Sequence, residues 1–232
     1  MTGPVATGDV PASMVAEPSL ESLDASASVE RALDDLRQSR LWPVARRVEG
    51  IALSSGFLPG VPTRVYRSDV ELDVRPERLV RLLADDSFEE LARWSAEFMH
   101  GEWLETLLAE PNEAAWVVRA SYRTPVLLSH REYVYRFARC RVDGDRTLIL
   151  YRSIALDLPV QSGFVRAVLY PTAHLVQALP GGRSRLEHVL ATDLRGWFPA
   201  WLQKGPLEGA MLDAHARDTL AQRRVWSGPR PA

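Results

Sequence analysis

The sequence predicts an α+β domain in which a curved antiparallel sheet wraps around a long C-terminal helix. Three observations carry this. Helical periodicity is confined to roughly the first hundred residues and to a terminal stretch ending near Arg224. About nine strand-like runs lie in total along the chain, bounded by Pro, Gly, Asn or Asp as turns require. No internal repeat interrupts that order.

The totals narrow the function classes. A chain of 232 residues with 46% hydrophobic and 25% charged side chains fits one ordinary domain. The net charge of −2 and a pI near 6.2 offer no field for a polyanion, so nucleic acid is not an expected partner. Cys140 stands alone, which excludes an internal disulfide and a cysteine-built zinc site. No apolar run approaches the roughly 20 residues that span a bilayer. Residues 1–28 lack the charged-then-apolar layout of a secretory signal, so the expected address is cytoplasmic.

Residues 1–25, rich in Ala, Ser, Gly, Pro and Val, read as a disordered leader, because they bury too little to offset their ordering entropy. The domain is expected over 26–226, with 227–232 as a tail. Val29, Leu33 and Leu36 among Glu, Arg and Asp predict a short helix, capped by Ser26 or Ser28 and ending before Trp42-Pro43. Strands follow over Val48–Ser54 and Thr63–Leu72. Pro76 opens a helix that buries Leu79, Val80, Leu82 and Leu83, and a Ser87-x-x-Glu90 capping box starts another over Ser87–Trp94. Further strands are expected over Glu102–Leu108, Ala114–Arg123, Arg131–Val142, Arg146–Asp157, Phe164–Tyr170, Thr172–Leu179 and Ser184–Thr192. The terminal helix then carries Leu207, Ala210, Met211, Ala214 and Ala221 at helical spacing. Gly205-Pro206 gives a bend at its start, so it reads as a lid.

Four segments, in order, point to one family. They are Ser129-His130-Arg131-Glu132-Tyr133-Val134, then Arg152-Ser153-Ile154 with Pro159, then Gly163-Phe164-Val165-Arg166-Ala167, and Asp193-Leu194-Arg195-Gly196-Trp197-Phe198-Pro199. Together they resemble landmarks of the StAR-related lipid transfer (START) domains, and the chain is identified as a bacterial-type member. The resemblance implies the helix-grip (START/Bet v 1-like) fold and non-catalytic binding and transfer of one hydrophobic ligand, a phospholipid, sterol or other lipid. Trp94-Ser95 departs from the family's Trp-Asp. Val118 and Phe137 stand where some sterol-binding members carry a buried acidic–Arg pair.

Asp143-Gly144 is the strongest hairpin signal and predicts a two-residue turn. That register sets Tyr133, Tyr135, Phe137 and Arg139 opposite Ile154, Arg152, Leu150 and Leu148, on one face with Trp116, Val118, Ala120 and Tyr122 of the neighbouring strand. An aromatic, apolar face suits a ligand pocket and a plain core alike. With the resemblance, the expected ligand-binding residues are Trp116, Val118, Tyr122, Tyr133, Tyr135, Phe137, Leu150 and Arg152, with Leu207 and Met211 from the helix. Arg152 on such a face needs a partner, either the polar end of a ligand or water at the mouth; a register slip of one residue would turn it outward.

No HExxH, G-x-S-x-G, P-loop or dinucleotide fingerprint is present, so no catalytic residue, metal or cofactor is expected. His174 and His188 fall on adjacent strands and read as structural. Arg46-Arg47 and Arg223-Arg224 read as solvated; a transient membrane contact near the terminal helix is the other partner to consider. The rival functions are an aromatase/cyclase-like enzyme of the same superfamily, which would need proton-moving groups in the pocket, and a ligand sensor.

Overall fold

The computed structural model describes residues 25–84, 88–109, 113–124, 128–197 and 206–227. The expected leader (1–25) and tail (227–232) lie outside them but for Ala25 and Ser227. Helix α1 (Ala25–Ser39) precedes three strands, β1 (Arg46–Val48), β2 (Ile51–Gly56) and β3 (Val65–Leu72). Helices α2 (Pro76–Ala84) and α3 (Phe88–Trp94) follow. Then come β4 (Phe98–Ala109), β5 (Glu113–Tyr122), β6 (His130–Arg141) and β7 (Arg146–Ser153). The short β8 (Phe164–Arg166) and β9 (Val168–Leu169) lead to β10 (Thr172–Leu179), β11 (Arg183–Asp193) and the terminal helix α4 (Pro206–Ser227).

The strands form one sheet in the order β1-β2-β3-β11-β10-β7-β6-β5-β4, antiparallel throughout; β8 adds to β6 in parallel and β9 to β11. Among the described residues eleven strands replace the expected nine or so, because two runs divide. The run read as Val48–Ser54 is a hairpin: Glu49 and Gly50 both take positive φ, 47° and 85°, the conformation of a two-residue primed turn. The run read as Phe164–Tyr170 splits at Ala167 into β8 and β9, which serve different neighbours. Register shifts along β4, between Phe98 and His100 and twice beyond, bend that strand and let it run longer than expected.

Alternation assigns the two faces. On the outer face Val65, Leu148, Leu175 and Val189 pack beneath Ala32 and Leu36 of α1. On the inner face Leu53, Val70, Val176 and Leu186 meet Leu79 of α2 and Leu212 and Ala216 of α4. Farther along the same face, Tyr133, Tyr135, Phe137, Val118 and Ile149 pack with Phe98 and Ala84, and Phe88 and Leu91 of α3 close over them. The buried stripe of α4 is Leu212, His215, Ala216 and Thr219, rotated from the predicted one. Ala210 is exposed, Met211 and Ala214 are part-buried, and the side chains of Leu207 and Ala221 lie outside those described.

Candidate functional site

Between the inner face of the sheet and its helical cover lies a cavity of about 190 Å³. The sheet supplies Val118 and Tyr122 from β5, Tyr135 and Phe137 from β6, Tyr151 from β7, and His174 and His188 from β10 and β11. The cover supplies Leu82, Leu83, Phe88 and Leu91. Phe88 reaches the wall because Gly101 has no side chain; a Cβ there would stand 2.4 Å from the Phe88 ring. Trp103 of β4 is 45% exposed and contacts Phe88, Trp116 and Phe137, which places it at the rim. Phe137 links the aromatic set, with ring centroids 5.2 Å from Trp116 and 5.1 Å from Tyr151.

Of the predicted residues, Val118, Tyr122, Tyr135 and Phe137 line the cavity. Trp116 stands beside it through Phe137, and Tyr133 shares the face, with its hydroxyl 3.1 Å from Thr192 Oγ1. Met211 packs against the neighbouring cluster. Leu150 and Arg152 do not belong to the site. The expected two-residue turn is a three-residue one, Asp143-Gly144-Asp145, closed by the Val142 N–H donating to Arg146 O. The Asp143 carboxylate accepts the N–H groups of Asp145 and Arg146 and stabilises the longer loop. The added residue pairs Tyr135 with Ser153 and Arg136 with Arg152, so every β7 side chain changes face. Leu150 packs toward α1, and Arg152 lies on the same side, where burial and Arg31 lower its pKa. Tyr151 takes the inward place.

Among the described residues the lining includes no carboxylate, Lys or Arg. Its polar groups are held neutral. Burial raises the pKa of Tyr135 and Tyr151 well above the usual phenol value. Burial likewise lowers His174 to about 3 and His215 to about 4, and pushes His188 well below an ordinary imidazole. These three histidines stack in sequence: His174 and His188 pair across β10 and β11 with ring centroids 3.8 Å apart, and His215 descends from α4 to within 4.5 Å of His188. Sequence spacing gave the first pair a neighbourhood. The third needed the phase of α4.

A model of the START domain matches residues 49–222. The chain belongs to the START domain family. StAR-related lipid transfer protein 8 of Homo sapiens is 27% identical over 148 residues, which are 62% of this chain and 14% of that protein. Steroidogenic acute regulatory protein, mitochondrial, of Ovis aries is 26% identical over 194 residues, 80% of this chain and 65% of that one. The chain thus spans a small part of the first relative and under two thirds of the second. Among solved structures, human StAR-related lipid transfer protein 5 superposes with a TM-score of 0.72 at 18% identity, covering 87% of this chain and 95% of its own. A STAR-related lipid transfer protein fragment from Xanthomonas axonopodis gives 0.63 at 20%, covering 81% and 99%.

Three of the START landmarks brace the site. Arg131 is fully buried and donates to the carbonyls of Leu194, Arg195 and Ser129, tying β6 to the segment after β11. Glu132 beside it is fully buried too and accepts from Arg119 at 2.5 Å and Arg166 at 2.7 Å, joining β5, β6 and β8. Those two guanidiniums hold the Glu132 carboxyl below the usual range against the opposing effect of burial. None of these side chains lines the cavity.

Proposed function

We propose that this chain binds a single hydrophobic ligand in its inner cavity and carries it shielded from water, without covalent chemistry. The observation that carries this reading is a wall of aromatic and aliphatic side chains in which, among the described residues, no carboxylate, Lys or Arg appears. Each 100 Å² of ligand apolar surface buried there contributes about 2.5 kcal/mol. The volume of about 190 Å³ is below the ~300–1,000 Å³ of common ligand pockets. It favours a slim, single-chain or rod-like lipid; a two-chain phospholipid needs the cover of α2, α3 and α4 to move. Relatives named as lipid transfer proteins support the same class of ligand.

The enzyme reading needs a group that exchanges protons near neutral pH. Tyrosines held up and histidines held down favour carriage instead. We read the chain as a bacterial-type member acting in the cytoplasm; its near-absence of lysine, with Lys204 the sole one, fits a high-GC genome. Among the described residues no helix is long and apolar enough to cross a membrane.

The test is transfer of a self-quenched fluorescent lipid between donor and acceptor vesicles. Catalytic amounts of the protein should accelerate dequenching over the spontaneous rate, and Val118→Trp, which fills the cavity, should abolish the acceleration. Equal rates with and without protein, across single-chain, sterol and two-chain probes, would refute the proposal.

A further inference from the structure

The cavity wall meets the protein surface at Trp103, and the carrier reading gives that place no role. Of the exposed large apolar side chains among the described residues, Trp103 alone also lines the cavity. Its ring centroid lies 4.9 Å from that of Phe88 on α3, so two facing aromatic side chains form the wall here, and Trp103 is 45% exposed.

The strand that carries Trp103 is unusual. β4 ends the sheet among the described residues and leaves one edge unpaired. Its pairing with β5 slips three times, and each slip leaves one β4 residue without a partner: Met99, Leu104 and Leu107. A bulged residue escapes the alternation that would send it inward. All three are apolar, and Met99 and Leu107, before and after Trp103 along the strand, are 40% and 39% exposed. From Met99 to Leu107 the edge runs roughly 20–25 Å. An exposed apolar row that continues into a ligand wall marks an interaction surface.

Another β-strand or a lipid surface could cover such an edge. The bulges interrupt the regular run of N–H and C=O groups that an added strand needs, which is how proteins blunt an edge. A second copy of β4 would also bring its own Glu102 and Glu105 to this edge. A bilayer interface requires no backbone register and accepts indole rings and apolar side chains. With two glutamates and no Lys or Arg on β4, the fitting surface is zwitterionic, held by apolar contact and not by attraction to anionic lipid.

We propose that the β4 edge, through Met99, Trp103 and Leu107, docks on a zwitterionic lipid surface, and that the ligand passes between β4 and α3, past Trp103 and Phe88. This rests on the carrier reading above and adds the surface from which the ligand is taken.

An environment-sensitive dye reads the docking side. It is attached at Leu107→Cys or, as a contrast, at Ala210→Cys on the exposed side of α4, each combined with Cys140→Ser. With phosphatidylcholine vesicles the dye at position 107 should brighten and shift to the blue, and the dye at position 210 should not. Adding phosphatidylserine should not strengthen the response. Met99→Glu combined with Leu107→Glu should slow vesicle-to-vesicle transfer by about tenfold, the effect of keeping two apolar side chains out of the interface. Binding of a fluorescent fatty acid from free solution should stay as in the wild type, because neither residue lines the cavity. A silent dye at 107, a response at 210 in its place, or a response only with phosphatidylserine overturns the docking edge and leaves carriage standing. Undiminished transfer by the double variant does the same; should that variant lose the fatty acid through misfolding, the two dye positions decide. If the wild type binds no fluorescent fatty acid, the carrier reading itself falls.

Discussion

Acidification should loosen this protein well before its carboxylates titrate. His174, His188 and His215 sit neutral in the folded state, at about 3, well below normal, and about 4 respectively. In the unfolded chain each imidazole titrates near ~6.5. As pH falls below that value the unfolded state takes up protons that the folded state refuses, so stability is full above it and is lost on the way down. Between about pH 7 and about pH 5.5 each ring accounts for about 1 kcal/mol, and three for a few kcal/mol. Glu132, Glu187 and Asp69, whose values are lowered, contribute stability that is present above the ordinary carboxylate range and lost below it, outside this window. Asp35, raised by burial, acts in the opposite sense. Urea unfolding of the wild type and His215→Leu at both pH values cancels that background. The wild type should lose more than the variant by about 1 kcal/mol, one ring's share. Identical pH dependence in the two proteins would refute the account of a protonation-averse histidine stack.

Three further outcomes follow from other contacts. Glu132→Gln leaves Arg119 and Arg166 without their shared carboxylate and should cost about 3 kcal/mol in urea unfolding; a loss below ~1 kcal/mol would show the pairs to be solvent-relaxed. Gly101→Ala forces Phe88 off the strand and should cost about 1–3 kcal/mol while weakening displacement of a fluorescent lipid; unchanged binding would remove Phe88 from the working wall. Arg152→Leu should leave lipid affinity unchanged, since Arg152 belongs to the face under α1; a tenfold loss would restore it to the ligand.

Much of the fold was legible because it is periodic. The β5 and β6 alternation alone placed Val118, Tyr122, Tyr135 and Phe137 on one wall, and Pro76 and the later apolar pattern gave α2 and its buried Leu79. What failed turned on single residues. Asp143 converts a two-residue turn into a three-residue one through its own side chain, and that choice exchanged Tyr151 for Arg152 and Ile149 for Leu150. Glu49 in a left-handed conformation has no strong signature beside Gly50, so the first hairpin read as one strand. The cover of the cavity comes from α2 and α3, whose inward residues look like ordinary helix core until the sheet they face is known. His215 was hidden for a similar reason: the small residues of α4 fit two neighbouring stripes, and only docking on β2 and β3 selects one. The family landmarks were the most visible feature, yet Arg131, Glu132 and Arg166 brace the site and do not line the cavity.

The central claim is a filled cavity, and native mass spectrometry reads it directly. Protein purified without detergent should show a population heavier than the bare chain by one lipid, released on collisional activation and replaced one-for-one by added dodecanol. The bare mass alone, unchanged after incubation with dodecanol, a sterol and a single-chain phospholipid, would contradict the account.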